Sequence, residues 1–290
     1  MSGSGIHKVT VLGTGVLGSQ IAFQTAFSGF EVTAYDISDE AVAQGRERFA
    51  GLAKTYQHDG VPGAADGKAD EALARLAATA DLAAAVADAD LIIEAVPEVL
   101  TIKQETYEKL GKLAPEKTIF ASNSSTLALS DLVGYTGRPG KFIGLHFANQ
   151  IWKFNTAEVM STTETDPAVF DTLLAFAAEI GCVPIPIHKE KPGWLLNSLL
   201  VPFLSAAQDL AFGGYAEPAD IDKVWRIGTG APKGPFEILD IVGLMTPYNI
   251  SLHGDAHQQE IAAWLKENYI DKGKLGIASG EGFYTYPRES

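Results

Sequence analysis

A glycine-rich turn between an apolar β-branched run and a helical run constrains the fold of this chain more than any other feature. The turn, GTGVLG at residues 13–18, follows residues 9–12 and precedes the apolar, helix-period residues 19–27. A second strand is predicted at residues 31–35, and it ends at Asp36. The order of strand, glycine turn, helix, strand and acid predicts a dinucleotide-binding βαβ unit.

Each glycine of the turn has a separate predicted task. Gly13 allows the tight turn, Gly15 leaves room for a pyrophosphate, and Gly18 lets helix and strand pack closely. The helix N-terminus adds free N–H groups and a positive dipole end. The alternative is an ordinary βα turn whose glycines serve packing alone. The strand before the turn, the helix after it and the acid at the end of the second strand together favour dinucleotide binding. The cofactor-binding residues predicted in this turn are Gly13, Gly15, Val16, Leu17 and Gly18.

Asp36 predicts which dinucleotide binds. Its carboxylate suits the ribose hydroxyls and would repel a 2′-phosphate, and the adjoining Ile37 and Ser38 supply no arginine to neutralise one. The predicted cofactor is therefore NAD, with NADH preferred over NADPH.

Composition excludes several classes of protein. A formal net charge of −14 over 290 residues argues against binding to nucleic acid or to anionic membrane surfaces. Cys182 is the single cysteine, so we expect a buried apolar thiol, with neither a disulfide framework nor a metal site. The first eight residues contain no apolar signal region, and no stretch approaches about 18 uninterrupted apolar residues. We therefore expect a cytoplasmic protein without a membrane partner.

Strand and helix patterns alternate up to His188, which predicts an α/β, Rossmann-type doubly wound sheet that is mostly parallel. We expect this NAD-binding domain at residues 1–188, with a helical excursion at about residues 39–76. The excursion carries three cations, Lys54, Lys68 and Arg75. They are either solvated charges on the helix surfaces or a clamp that binds an anion. Residues 189–290 show helices and loops, and predict an all-helical substrate domain whose apolar helices join two chains into a homodimer.

Ligands of open α/β sheets bind at the carboxyl ends of the strands. The run SNSST at residues 122–126 ends one predicted strand, and it could equally well cap the following helix. His146 ends another strand, and Glu158 lies on the next one. A carboxylate beside an imidazole fixes its tautomer and suits a group that donates and accepts protons, although a buried ion pair without a catalytic role is the alternative. Asn197, in a very apolar helix, either satisfies a backbone carbonyl or donates to a developing oxyanion.

Together these segments resemble the short-chain L-3-hydroxyacyl-CoA dehydrogenases and, among them, are similar to the NADH-dependent diketoreductases. The similarity runs nearly end to end. It is carried by GTGVLGSQIA, IIEAVPE, ASNSSTL, GLHFAN with AEVM, KPGWLLNSLLVP, RIGTGAPKGPFEILDIVGL and GKLGIASGEGFYTYP.

The resemblance implies that His146 is the general acid/base and Glu158 its partner, with Ser125 and Asn197 binding the substrate oxygen. It also implies a cofactor and substrate set, namely Asp36 and Glu98 at the two riboses, Lys103 at the cofactor edge, and Asn123 and Asn149 near the nicotinamide and substrate.

The chain departs from the family after His146. Where the family reads HFFNP, this chain reads HFANQ, and Trp152, Lys153 and Asn155 are added beside the expected acyl site. The predicted reaction interconverts a 3-keto and an L-3-hydroxy ester or thioester, as in fatty acid metabolism. The departures leave the acyl group and the need for CoA open. Oxidation of a sugar acid such as L-gulonate, a non-catalytic NAD sensor and a crystallin-like structural protein are the alternatives.

Overall fold

The computed structural model describes residues 3–287 of the chain; residues 1–2 and 288–290, at the outer ends of the two expected domains, lie outside the described residues. Two compact units divide between Leu195 and Leu196. The sequence predicts this boundary after His188. In the structure the first unit extends further because the buried Trp194 packs on its sheet residues.

The first unit is built on one eight-stranded sheet with the order β3-β2-β1-β4-β5-β6-β7-β8. The four residues of strand β4, LIIE, are all buried, as expected for a parallel sheet that helices cover on both faces. The strands are β1 Lys8–Leu12, β2 Glu31–Tyr35, β3 Leu76–Thr79, β4 Leu91–Glu94, β5 Ile119–Ser122, β6 Phe142–Phe147, β7 Thr156–Ser161 and β8 Val183–Ile187.

Strands β1 to β6 are parallel, whereas β7 pairs antiparallel with β6 and parallel with β8. The chain order reverses between β1 and β4, and ligands bind at such a switch point in open sheets. The prediction of a doubly wound, mostly parallel sheet is confirmed.

Helices connect the strands. Helix α2 begins where the Ser38 side chain accepts a hydrogen bond from the Ala41 N–H, a usual N-cap. The helices of the first unit are α1 Val16–Phe27, α2 Asp39–His58, α3 Ala69–Ala74, α4 Leu82–Val86, α5 Leu100–Leu113, α6 Ser130–Val133 and α7 Pro167–Glu179, and a kinked segment, Ala64–Lys68, precedes α3.

The helical excursion predicted at about residues 39–76 is followed by a strand that the sequence did not predict. Residues 39–74 form a helical hairpin of α2 and α3, but Leu76–Thr79 is the edge strand β3, which pairs with β2 from Val32 to Tyr35. Its sequence, LAAT, is rich in alanine, which favours helices, so local propensity pointed the wrong way. Pairing with an already formed strand overrides that propensity.

The second unit is helical and has its own core, which includes Phe236, Leu239 and Leu244. Its C-terminal segment is held by the buried Asp240, whose carboxylate accepts hydrogen bonds from the N–H groups of Phe283 and Tyr284 at 2.8 and 2.9 Å. The helices from this part of the chain are α8 Trp194–Phe212, α9 Pro218–Thr229, α10 Pro235–Val242, α11 Met245–Leu252 and α12 Ala256–Asn268.

Within residues 3–287, one helix, α8, has the length and apolar composition of a membrane span, with a mean hydropathy of 1.3 over its best window. A single helix of this kind is weak evidence, because core helices of proteins outside membranes have the same properties.

Candidate active site

The turn between β1 and α1 has a geometry that a pyrophosphate requires. Gly13 adopts φ +92°, and a Cβ there would lie 2.5 Å from the Ala95 carbonyl oxygen. A Cβ on Gly18 would lie 2.0 Å from the Gly13 oxygen, so helix and turn meet without space for a side chain. Gly15 caps α1 with an open flank, since no atom lies within 4 Å of an added Cβ. The next two residues, Val16 and Leu17, form the first turn of α1.

Asp36 is oriented by the same turn. Its Oδ2 accepts hydrogen bonds from the Thr14 N–H at 2.8 Å and the Thr14 hydroxyl at 2.7 Å, and Oδ1 accepts one from the Ile37 N–H. The carboxylate borders a cavity of about 500 Å³ between the turn and α5. The open Gly15 flank and the oriented carboxylate fit a dinucleotide. The cavity is lined by Gly13, Gly15, Tyr35, Asp36, Ile37, Leu82, Ala95, Val96, Pro97, Ile102, Glu105, Thr106 and Lys109.

Glu98 organises the loop that follows β5. One of its oxygens, Oε1, accepts hydrogen bonds from the N–H groups of Ser125 and Thr126 at 2.9 and 2.7 Å and from the Ser124 hydroxyl at 2.7 Å. Burial alone raises the pKa of Glu98, but these hydrogen bonds and the Lys103 charge outweigh it and hold the pKa at about 2. The ionised carboxylate therefore fixes the backbone that carries Ser125.

Lys103 lies beneath this loop rather than on the cavity wall. Its side chain is 1% exposed, and its ammonium lies 2.5 Å from Glu94 Oε1 and 3.3 Å from Glu98 Oε2. Glu94 is fully buried and also accepts a hydrogen bond from the Ser122 hydroxyl at 2.9 Å. The predicted role of Lys103 at the cofactor edge stays a prediction, and the structure adds a second role in joining two carboxylates under the loop.

His146 and Glu158 face each other directly across the antiparallel pair β6–β7. Nδ1 of His146 lies 2.9 Å from Glu158 Oε2, and the two side chains are each 6% exposed. On the other side of the ring, Nε2 lies 3.1 Å from the Ser125 hydroxyl oxygen. A carboxylate on Nδ1 holds the proton of a neutral imidazole there, which leaves Nε2 free to accept a proton from a ligand.

Trp194, which the sequence analysis did not place at the site, completes the surroundings of the imidazole. Its indole stacks on the His146 ring with centroids 4.9 Å apart and planes 14° from parallel. Its Nε1–H donates to the Ser124 carbonyl at 2.8 Å, and the Leu195 N–H donates to Glu158 Oε1 at 2.8 Å. The sequence contains one signal for this residue, since a tryptophan directly follows the Pro-Gly pair at residues 192–193.

Four further residues predicted to contact the cofactor or the substrate differ in their surroundings. Asn123 is buried, and its side-chain oxygen accepts a hydrogen bond from the Phe147 N–H at 3.1 Å, bracing the ends of β5 and β6. Asn149 is exposed in the segment after β6. Trp152, in the same segment, packs on Tyr56 of α2. Asn197 is half-buried on α8, and its role toward the substrate stays a prediction.

No group of three or more His, Cys, Asp or Glu side chains within residues 3–287 is arranged to hold a metal ion.

Comparisons with known proteins identify the family of this chain. The sequence model of the 3-hydroxyacyl-CoA dehydrogenase NAD-binding domain matches residues 8–191, and that of the C-terminal domain matches residues 193–286. A mitochondrial hydroxyacyl-coenzyme A dehydrogenase of Rattus norvegicus is 37% identical over 97% of this chain and 91% of its own length. A probable 3-hydroxybutyryl-CoA dehydrogenase of Bacillus subtilis is 32% identical over 98% of this chain and 99% of its own. A diketoreductase structure, described for its catalysis on dicarbonyl compounds, is 64% identical with a TM-score of 0.95 over 99% of this chain and 100% of its own.

Proposed function

The chain belongs to the 3-hydroxyacyl-CoA dehydrogenase family and is an NAD-dependent oxidoreductase acting on CH–OH groups, and we propose that it interconverts a 3-keto and an L-3-hydroxy ester or thioester with a preference for NADH. The observation that carries the proposal is the row of three groups Ser125, His146 and Glu158, joined at 3.1 and 2.9 Å. At its Ser125 end the row offers a hydroxyl and the Nε2 atom of His146, the two groups needed to bind and protonate a carbonyl oxygen.

His146 moves the proton in this mechanism. In the reducing direction the imidazolium delivers the proton from Nε2 to the keto oxygen, and in the oxidising direction neutral His146 accepts it from the hydroxyl. Glu158 keeps the ring oriented through Nδ1 and stabilises the imidazolium, since the two side chains touch at 2.9 Å. The bound nicotinamide cofactor supplies or accepts the hydride.

Ser125 binds the reacting oxygen, and Trp194 shields His146. The Ser125 hydroxyl, held by the Glu98-bound loop, donates to the oxygen as negative charge develops there. The indole of Trp194 covers one face of His146, which excludes water from that face of the ring. We propose that Asn197 is a second donor, a role taken from the family resemblance.

The names of the similar proteins differ in whether they mention CoA. The family and most of the reported relatives are named for CoA thioesters. The 64% identical diketoreductase is described as acting on dicarbonyl compounds, and this similarity favours a β-dicarbonyl substrate free of CoA as a second candidate.

The test is NADH consumption with acetoacetyl-CoA and, separately, with a CoA-free 3,5-diketo ester, each repeated with NADPH. We expect turnover with NADH and little with NADPH, because Asp36 repels a 2′-phosphate. His146→Ala should lower kcat by at least about 100-fold, while His7→Ala, at an exposed histidine, leaves it unchanged. Near-normal turnover of His146→Ala would refute the proposed mechanism.

We further propose that the second unit forms a homodimer. Its supporting observation is the exposure of large apolar side chains, among them Leu199 at 74%, Val224 at 69% and Ile227 at 76%. A second copy of the chain would remove such surface from water. Size-exclusion chromatography with light scattering should give twice the chain mass, and Leu199→Glu with Ile227→Glu should give a monomer.

A further inference from the structure

The segment 148–155 joins the two members of the proposed catalytic pair, since it begins after Phe147 and ends at β7, which carries Glu158. It includes Asn149 and Trp152, the residues predicted to meet the substrate. The segment leaves β6 at its carboxyl end, which is the edge where open α/β sheets bind their ligands.

Asp59, the residue that caps the C-terminus of α2, holds the middle of this segment. Its Oδ2 accepts a hydrogen bond from Nε1 of Trp152 at 2.7 Å and lies 3.0 Å from the Lys153 ammonium. The Trp152 ring also packs on Tyr56, with centroids 5.0 Å apart. The two neighbouring residues of the segment thus share one acceptor on the helical hairpin.

The carboxylate is suited to this task because it stays ionised. The hydrogen bond from Trp152, followed by the one from Lys153, lowers the pKa of Asp59 to about 2, and its side chain is 14% exposed. Charge-assisted hydrogen bonds of this kind are stronger than neutral ones. They are present throughout the neutral pH range.

A second contact holds the start of the segment. The Gln150 N–H donates to Oε1 of Gln20, a buried residue of α1, at 2.7 Å. Gln150 has φ +60°, in the left-handed region. Proline has no N–H and a φ near about −65°, so it could make neither this bond nor this turn. At this position, where the family resemblance has proline, the chain follows a path that proline does not allow.

We propose that Asp59 is a positioning residue that sets acyl-group selectivity by fixing Trp152 and Lys153 in the segment that follows β6 at the ligand-binding edge of the sheet. The inference rests on the proposed function, because it is the acyl group of the substrate that would meet this segment. Without the carboxylate, the indole N–H and the ammonium lose their shared acceptor. The segment then loses the contact that joins it to α2, and the acyl group is no longer held in one orientation.

The kinetic test compares Asp59→Ala with Asp59→Asn, whose amide oxygen can still accept the Trp152 bond. Asp66→Ala, at an exposed aspartate of the same hairpin, is the matched control. We expect Asp59→Ala to raise KM for a bulky β-keto ester by at least about tenfold, since small misplacements of a substrate have effects of this size or larger. Its kcat for a small β-keto ester and its dissociation constant for NADH should be unchanged, and Asp59→Asn should bring the KM part of the way back to the wild-type value.

Two outcomes would overturn the proposal. One is a wild-type KM and selectivity in Asp59→Ala, and the other is a loss of NADH affinity and of kcat that is equal for all substrates.

A spectroscopic measurement separates this inference from the proposed function. The chain has four tryptophans, so the indole N–H resonances of ¹⁵N-labelled protein are few, and Trp152→Phe assigns the relevant one. In Asp59→Ala and Lys153→Met this resonance should shift, and its hydrogen exchange should accelerate in Asp59→Ala. If the wild-type protein turned over no β-keto substrate, the proposed function would fail, and with it the assignment of selectivity to Asp59. An unchanged Trp152 resonance in an active Asp59→Ala enzyme would instead overturn the positioning role alone.

Discussion

The indole of Trp194 occupies the space that a side chain at Gly144 would need: a Cβ added to Gly144 would lie 2.5 Å from Cη2 of Trp194. Gly144 lies two residues before His146 on β6, so both point to the same face of the sheet. The absence of a side chain at Gly144 is therefore what allows the indole to lie flat on the imidazole.

Gly144→Ala tests this relationship. The added methyl group must displace Trp194 or the Leu129 side chain, and overpacking of this kind destabilises by about 1–3 kcal/mol. We expect a lower kcat and a lower unfolding temperature. Gly140→Ala is the matched control, since its nearest neighbour would lie at 3.8 Å, an ordinary contact. Full activity in Gly144→Ala would show that the stacked indole does not contribute to turnover.

Glu158→Gln should lower kcat between about 10²- and 10⁴-fold, because it reverses the tautomer of His146. The Leu195 N–H requires an acceptor at Oε1, so the glutamine amide would turn its NH₂ group toward Nδ1. Nδ1 must then accept, and the proton moves to Nε2, where the reaction needs a free lone pair. Steady-state kinetics of the oxidation reaction measure the effect, with the exposed Glu164→Gln as control. A variant with unchanged kcat would contradict the dyad.

Glu98 should contribute stability that disappears in acid. The pKa of Glu98 is about 2 in the folded chain and lies at its ordinary value of 4.5 when the group is free of partners. A lowered folded pKa stabilises the fold above the ordinary value, and this contribution is lost as the pH falls from about 4.5 toward 2. Urea unfolding should show Glu98→Gln less stable than the wild type at neutral pH, with the difference shrinking at about pH 3. Glu108→Gln, at an exposed glutamate, should show no such trend.

Cys182 should be unreactive in the native protein. Burial raises the pKa of this thiol to about 12, and its residue is 6% exposed. Because the thiolate is the nucleophile, iodoacetamide at neutral pH should label the chain only after unfolding. Ala65→Cys places a thiol on an exposed position of the hairpin and should label at once. Rapid labelling of native Cys182 would indicate that α7 and β8 separate frequently.

The cofactor turn could be predicted from sequence because its chemistry is local. Gly13, Gly18 and Asp36 belong to one βαβ unit, and the close approaches they make are to residues of that unit or of the strand beside it. The edge strand β3 could not be predicted in this way. Its alanines favour a helix, and only the neighbouring β2 provides the pairing partner that makes the segment a strand.

The sequence also pointed to His146 and Glu158, because both are polar side chains on apolar strands that follow each other in the chain. It did not point to Trp194 or Asp59, which meet their partners across dozens of residues of intervening chain.

By itself, therefore, the sequence determined the fold class, the cofactor turn and the residue types of the proposed site, since these depend on periodicity and on short-range stereochemistry. Only the tertiary structure decided what surrounds the imidazole and what holds the segment after it. These contacts depend on the packing of β6, α2 and the start of α8. The sequence pattern of a single helix or strand does not predict which side chains of other helices and strands pack against it.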